Sequence, residues 1–347
     1  MMDGSDATGI RHPFEAPPEE GCVTRVAEGV LWARLPLPMV LDHVNVYILD
    51  DGDGWTVFDT GMDSARARGI WIKLLAGPLR GKQVRRVIAS HHHPDHIGLA
   101  GWFQAGGAEL VTTRTAWLFA RMLTLDAQPT PPPEMLTFWR RAGMPDEMIE
   151  TRALQRPFNF CDTVASLPLG FRALREGDVL HAGGRAWDVR LGQGHAPDQI
   201  TLWGRDCDLV LGADQLLPGI SPVLGVYATE PEADPVTDWL ESCARLQEHA
   251  RPEHLVLPGH KLPFTGLPLR LNQKIENHLA ALKRLEAHLA TPRIATECFE
   301  MLFKRRVTES SYGLALAETI AHLNHLHASG RVRRWLSEDG VWLWQAV

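Results

Sequence analysis

Paired cysteines, long apolar runs and an excess of positive charge are all missing from this 347-residue sequence. Its five cysteines (Cys22, Cys161, Cys207, Cys243 and Cys298) are scattered and form no CxxC pair. An odd, dispersed set excludes a disulfide framework and fits reduced thiols in the cytoplasm. No apolar stretch approaches the roughly 18 residues needed to span a bilayer, so no membrane partner is expected. The start, MMDGSDATGIRHPFEAPPEEG, lacks the basic-then-apolar order of a secretory signal and reads as a loose tail over 1–22. A formal net charge of −7 argues against a surface that coats nucleic acid, because phosphate binding needs clustered cations. No internal repeat or low-complexity tract is present. Apolar residues at 45% and charged residues at 22% fit a globular chain with a large core. The length fits one large domain, or one with an accessory unit.

From Cys22 the chain turns into short β-rich runs split by Asp-Gly turns, as in GVLWARLPLP and VNVYILDDGDGWTVFDTG. A helical run, SARARGIWIKLLAG, follows and closes at Gly77. Then come the strand RRVIAS, a histidine-rich loop and a helix expected from near Ile97. Strand, loop, helix in that order is an α/β pattern. After the strand AELVTT the rhythm breaks, and a helical insertion is expected over about 114–165, interrupted by PTPPPE. It serves either as a lid, with Trp117 and Trp139 lining a pocket, or as a covering layer and homodimer surface. Strands resume through FRALREGDVL, RAWDVRL, DQITLWG and DLVLGA, and later HLVLP. Asp234 and Pro235 sit where a helix cap and first turn want them. Beyond 271 the pattern becomes three helices and a hairpin at Asp339-Gly340, a small winged-helix-like unit over 271–347. The body, 23–270, is the expected catalytic domain.

The loop VIASHHHPDHIGLAGW carries four histidines and an aspartate within six positions. Imidazole nitrogens and carboxylate oxygens are standard ligands for zinc and related divalent ions. Residues two apart in an extended loop point the same way, so His91 and His93 can grip one ion. Asp95 and His96, where the loop turns into a helix, can grip a second. His92, between two candidates, is expected to face solvent or an outer contact. Further ligands should also lie at strand ends. His195 in RLGQGHAPDQ, Asp214 in LVLGADQ and His260 in LVLPGHK each follow a strand-like run with a glycine one or two positions before. Glycine there permits a sharp turn. His254, His288, His322, His325 and His327 have no ligand-like spacing with this set.

With this ordered series, together with FDTG (58–61) and REGDVL (175–180), the chain resembles the metallo-β-lactamase-fold hydrolase superfamily over roughly 23–266. The resemblance implies an αββα four-layer sandwich. It also implies two divalent metal ions, zinc first, with iron or manganese as alternatives. His91, His93 and His195 would hold the first ion, Asp95, His96 and His260 the second, and Asp214 would bridge them. Asp59 would tie the ligand loop in place from outside. Asp95 would act as the catalytic residue, orienting a hydroxide that bridges the two ions.

Departures from the pattern narrow the substrate. The superfamily's zinc β-lactamases lack a bridging Asp in the role of Asp214, which argues against β-lactams. Its flavo-diiron members carry Glu where His93 stands, which argues against oxygen reduction. Its acyl-homoserine lactonases place a Tyr three residues after the bridging Asp, where this chain has Leu217. The expected reaction is hydrolysis of an ester, thioester or lactone of a small molecule. The alternative is an endoribonuclease acting on single-stranded RNA. It is motivated by AETIAHLNHLHASGRV, which is similar to the C-terminal unit of a lactamase-like group containing such an enzyme. Between 271 and 347, ten cationic residues face eight anionic ones, too small an excess for a phosphate-binding surface.

Overall fold

A computed structural model describes residues 9–347. The first sheet has seven strands in sequence order: β1 (Thr24–Ala27), β2 (Val30–Pro36), β3 (His43–Asp50), β4 (Gly54–Phe58), β5 (Gln83–Ile88), β6 (Glu109–Thr112) and β7 (Arg172–Ala173). Pairing is antiparallel from β1 to β4 and parallel from β4 to β7. The second sheet has five strands: β8 (Val179–Ala182), β9 (Arg185–Gly192), β10 (Gln199–Gly204), β11 (Leu209–Ala213) and β12 (Leu255–Pro258). Only β11 and β12 in it run parallel.

Strand β3 shows how the sequence makes the layers. Its first seven residues are all buried, so it has no solvent face. Val44, Val46 and Ile48 join a core with Ile70, Trp71, Leu74 and Phe103 of the outer helices. Tyr47 and Leu49 point the other way, into a core shared with Trp187, Val189, Ile200 and Leu211 of the second sheet. Alternation of side chains puts apolar groups on both faces of one strand. The sheets therefore stack face to face.

Helix α1 (Ala65–Ala76) begins at Ser64, whose hydroxyl accepts from the Ala67 amide, and ends at Gly77. The helix expected from near Ile97 is in fact two pieces, α2 (Pro94–Ile97) and α3 (Ala100–Ala105). The Leu99 amide donates to the Thr60 hydroxyl and the Gly61 carbonyl. A Cβ on Gly98 would come within 2.3 Å of the Pro94 carbonyl and 2.5 Å of the Gly61 carbonyl. That close approach leaves no continuous helical path.

The chain forms two compact units, each built from separated segments. The first takes residues up to 127, 159–222 and 246–271; the second takes 128–158, 223–245 and 272–347. The insertion expected over 114–165 is thus divided. Helix α4 (Arg114–Leu125) belongs to the first unit, while α5 (Pro133–Arg141) and α6 (Asp146–Ala153) belong to the second. Of the tail expected over 1–22, residues 1–8 lie outside the described residues. Residues 9–22 are not loose: Arg11 and Thr265 exchange backbone hydrogen bonds, Ile10 is buried, and Phe14 packs edge-on against Trp32.

Most of α7 (Pro235–Gln247) and α8 (Leu267–His288) lies in the second unit, with α9 (Phe299–Phe303), α10 (Tyr312–Ala328) and the hairpin β13 (Val332–Leu336)–β14 (Trp342–Ala346). Inside it the His278 and His322 rings stack, with Nδ1 and Nε2 3.3 Å apart. Burial pushes His278 down to about 3 and His322 to about 4, so both stay neutral in the fold. Below pH 6.5 the unfolded chain binds protons that these rings refuse. Stability is then lost at about 1.4 kcal/mol per pH unit for each ring. Glu318, held up to about 7 by burial, opposes this between pH 7 and its unfolded value, offsetting about one ring. The thermal midpoint should fall as pH drops from 6.5 to 4, and His278→Gln should flatten that fall. An unchanged acid slope in the variant would refute the assignment.

Candidate metal centre

Five strand ends of the first unit converge on one place. Asp59 follows β4, the loop from Ala89 to His96 follows β5, His195 lies beyond β9, Asp214 follows β11, and His260 lies beyond β12. Among the described residues only four non-glycines have positive φ. Three are here: Asp59 (63°), Ala213 (43°) beside Asp214, and Lys261 (68°) beside His260. Such conformations cost of order 1–3 kcal/mol and persist only where surroundings impose them.

All seven residues expected as ligands come together. His93 Nδ1 stands 3.0 Å from both His91 Nε2 and His195 Nε2. His96 Nε2 is 3.5 Å from an Asp95 oxygen and 3.4 Å from Asp214 Oδ1. His260 Nε2 is 3.4 Å from Asp95 Oδ2 and 3.3 Å from Asp214 Oδ2. Asp214 Oδ2 also lies 3.4 Å from His195 Nε2. Asp214 therefore touches donors from both halves of the set. Ligand atoms at about 2.0–2.1 Å around a tetrahedral ion sit roughly 3.4 Å from one another, close to the spacings here. Three overlapping groups have donor atoms mutually within 4.8 Å: His91–His93–His195, His91–His96–Asp214 and Asp95–His96–His260. Among the described residues the buried His96 Nε2 and Asp214 Oδ1 have no well-directed hydrogen-bond partner and only face each other at 3.4 Å. A divalent cation would satisfy both, so the residues fit the expected ions.

The electrostatics suit a cation site. Burial, then His96 and the neighbouring imidazoles, push His91 well below the ordinary histidine range. Burial and His195 do the same to His93. Burial also opposes charge on His260, but Asp214 and Asp95 outweigh it and raise this ring to about 10. His96 is raised against burial by Asp214, Asp95 and Asp59. Burial pushes Asp214 up, and His260 and His96 overcome it, holding the carboxyl well below its usual range.

The far nitrogens of the rings are also engaged. His96 Nδ1 meets Asp59 Oδ2 at 2.8 Å, and His260 Nδ1 donates to the His43 carbonyl at 2.8 Å. Ser90 was not legible as a site residue. Its hydroxyl donates to Asp59 Oδ2 at 2.9 Å and meets His91 Nδ1 at 2.9 Å. Its only sequence signal is its place between strand and ligand loop. His92 stays out of all three donor groups, but it does not face solvent. It is buried, with its ring stacked on Phe160 at 6° and near Phe119. Trp117 stacks on Phe171 at 4.7 Å in the first unit. Trp139 lines a groove of about 1090 Å³ within the second unit.

The family model of the metallo-β-lactamase superfamily matches residues 39–286. The chain belongs to the metallo-β-lactamase superfamily. A second family model, the metallo-β-lactamase-like C-terminal domain, matches 282–347. A crystal structure of a β-lactamase domain protein from Burkholderia ambifaria is 33% identical, with a TM-score of 0.89, covering 99% of this chain and 100% of that one. A metallo-β-lactamase family protein from Thermus thermophilus is 27% identical, with a TM-score of 0.77, covering 93% and 100%. A probable metallo-hydrolase of Bacillus subtilis, YqjP, is 26% identical over 322 residues, covering 91% of this chain and 97% of its own. The two stacked sheets are thus the metallo-β-lactamase fold, followed by a C-terminal domain. With a relative named as a probable metallo-hydrolase, the chain is an enzyme of the hydrolase class. No helix among the described residues is long and apolar enough to cross a membrane.

Proposed function

We propose that the protein is a dinuclear metal-dependent hydrolase of small-molecule esters, thioesters or lactones. The observation that carries this reading is Asp214, whose two oxygens face His96 on one side and His195 and His260 on the other. His91, His93 and His195 would hold one ion, and Asp95, His96 and His260 the other. Zinc suits so imidazole-rich a set, with iron or manganese as alternatives. Divalent ions, when bound, supply an acidified water and a Lewis acid for the carbonyl oxygen.

The remaining steps fall to the chain's own side chains. Asp95 keeps 21% of its side chain exposed, against 8% for Asp214 and 1% for Asp59. Asp95 is therefore the carboxylate able to meet a substrate and its attacking water. Burial pushes its carboxyl up, but His96 and His260 hold it below the usual range. An ionised Asp95 can orient the nucleophile, take its proton and pass it to the departing oxygen or sulfur.

The phosphodiester alternative has less support. Of the C-terminal cations, Arg331 pairs with Glu286 and Arg334 with Glu232, so neither is a spare phosphate grip. The test is elemental analysis combined with a panel of thioesters, lactones, aryl esters and single-stranded RNA at several salt concentrations. Two bound ions and turnover of one acyl class, little altered by salt, are expected. Cleavage of RNA alone, with affinity falling steeply as salt rises, would replace this reading with the nuclease one.

A further inference from the structure

His260 projects from a loop that the second sheet holds at one point before the ligand, where the Gly259 amide donates to the Ala213 carbonyl at the end of β11 at 2.7 Å. Strand β12 ends at Pro258, two residues before His260. On both sides of the ligand the loop's backbone is held by Asn45, on the inner face of β3. The Asn45 side chain donates to the Pro258 carbonyl at 2.9 Å and the Lys261 carbonyl at 2.7 Å. Its backbone amide donates to the Gly259 carbonyl at 2.7 Å. The side-chain oxygen accepts from Trp32 Nε1 at 2.9 Å. An indole nitrogen can only donate, so this contact fixes which end of the amide faces the loop. Both amide hydrogens are then committed to carbonyls flanking His260, and Asn45 is only 1% exposed.

The clamp has a directional result. It brackets Lys261 in its left-handed conformation, φ 68°, which a non-glycine residue seldom adopts unaided. With the loop held so, His260 Nδ1 reaches the His43 carbonyl, two residues before Asn45 on the same strand. That contact turns Nε2 towards Asp95 and Asp214. Tyr47 donates to the Pro258 carbonyl at 2.9 Å but has no hold on Lys261, beyond the ligand.

We propose that Asn45 is a positioning residue for the metal centre, setting the His260 loop so that Nε2 can serve as a ligand. This rests on the dinuclear reading above. The test is titration of the metal-free chain with Co²⁺, following the visible ligand-field spectrum and chelator competition, in wild type, Asn45→Asp, Asn45→Ser and Tyr47→Phe. Asn45→Asp turns two donors into acceptors facing carbonyls, and Asn45→Ser shortens the side chain without adding charge.

In both Asn45 variants one of the two Co²⁺ equivalents should bind about 10–100-fold more weakly, with an altered spectrum, as for outer partners of ligands. The other equivalent should be unchanged. Tyr47→Phe removes a buried hydrogen bond from the same carbonyl; it should lower the thermal midpoint but keep both equivalents. If both Asn45 variants bind two equivalents with wild-type affinity and spectrum, the proposal is overturned. It is equally overturned if in the Asn45 variants the two equivalents weaken together, in step with the thermal midpoint. Wild-type chain that binds no Co²⁺ would sink the dinuclear reading itself, and this inference with it.

Discussion

Asp214→Ala should leave the chain with less than one tightly bound ion and lower kcat/KM by at least about a thousandfold. The magnitude follows from losing several kcal/mol of charge stabilisation at the reacting centre. The direction follows from geometry: among the described residues no other donor contacts His96, His195 and His260 together. His93→Ala should give a similar loss by opening the other end of the set, where its Nδ1 meets two imidazoles. Elemental analysis after gel filtration and steady-state kinetics read both quantities on one preparation. Full metal content with full turnover in both variants would mean that this cluster is an ion-pair network and that hydrolysis happens elsewhere.

Gly259→Ala should be nearly as damaging, although it removes no functional group. The added Cβ would sit 2.3 Å from Asp214 Oδ1, 2.9 Å from His96 Cε1 and 3.1 Å from the Ala213 carbonyl carbon. One of these must move, and Asp214 and His96 both belong to the donor set. Overpacking of this kind costs about 1–3 kcal/mol in a well-packed interior. The displacement of Asp214 should show more strongly in function, with metal affinity and activity each down about a hundredfold. Gly219→Ala is the control, because its Cβ would meet nothing within 4 Å. Near-normal metal affinity in Gly259→Ala would show that the carboxylate can swing aside and still bind.

The donor set was legible because its first four members are local and the rest obey one rule. HxHxDH is a pattern within six residues, and His195, Asp214 and His260 each follow a strand-like run. The groups that hold those donors were not legible. Asn45 lies in VNVYILD, where nothing local marks it, and only the fold reveals three carbonyls waiting there. Ser90 looks like any residue closing a strand. For His92 the choice between solvent and an outer contact stayed open, because Phe119 and Phe160, which bury it, lie far along the chain. The division of the insertion was hidden for the same reason: α5 is tied by Phe138 to Trp342, a contact no local pattern encodes.

That last contact bears on how the protein is made. Phe138 packs against Trp342, the Gly143 turn against Ile294 and Val341, and the Val226 amide donates to the Ala317 carbonyl. The helices around Phe138 leave the ribosome roughly 200 residues before Trp342 does, and at about 5–20 residues per second that is a wait of roughly 10–40 seconds. During it, Phe138 and Met144, buried in the finished protein, lack their partners. The second unit closes only once Trp342 has emerged, so nascent chains stalled before that point should be clients of holding chaperones.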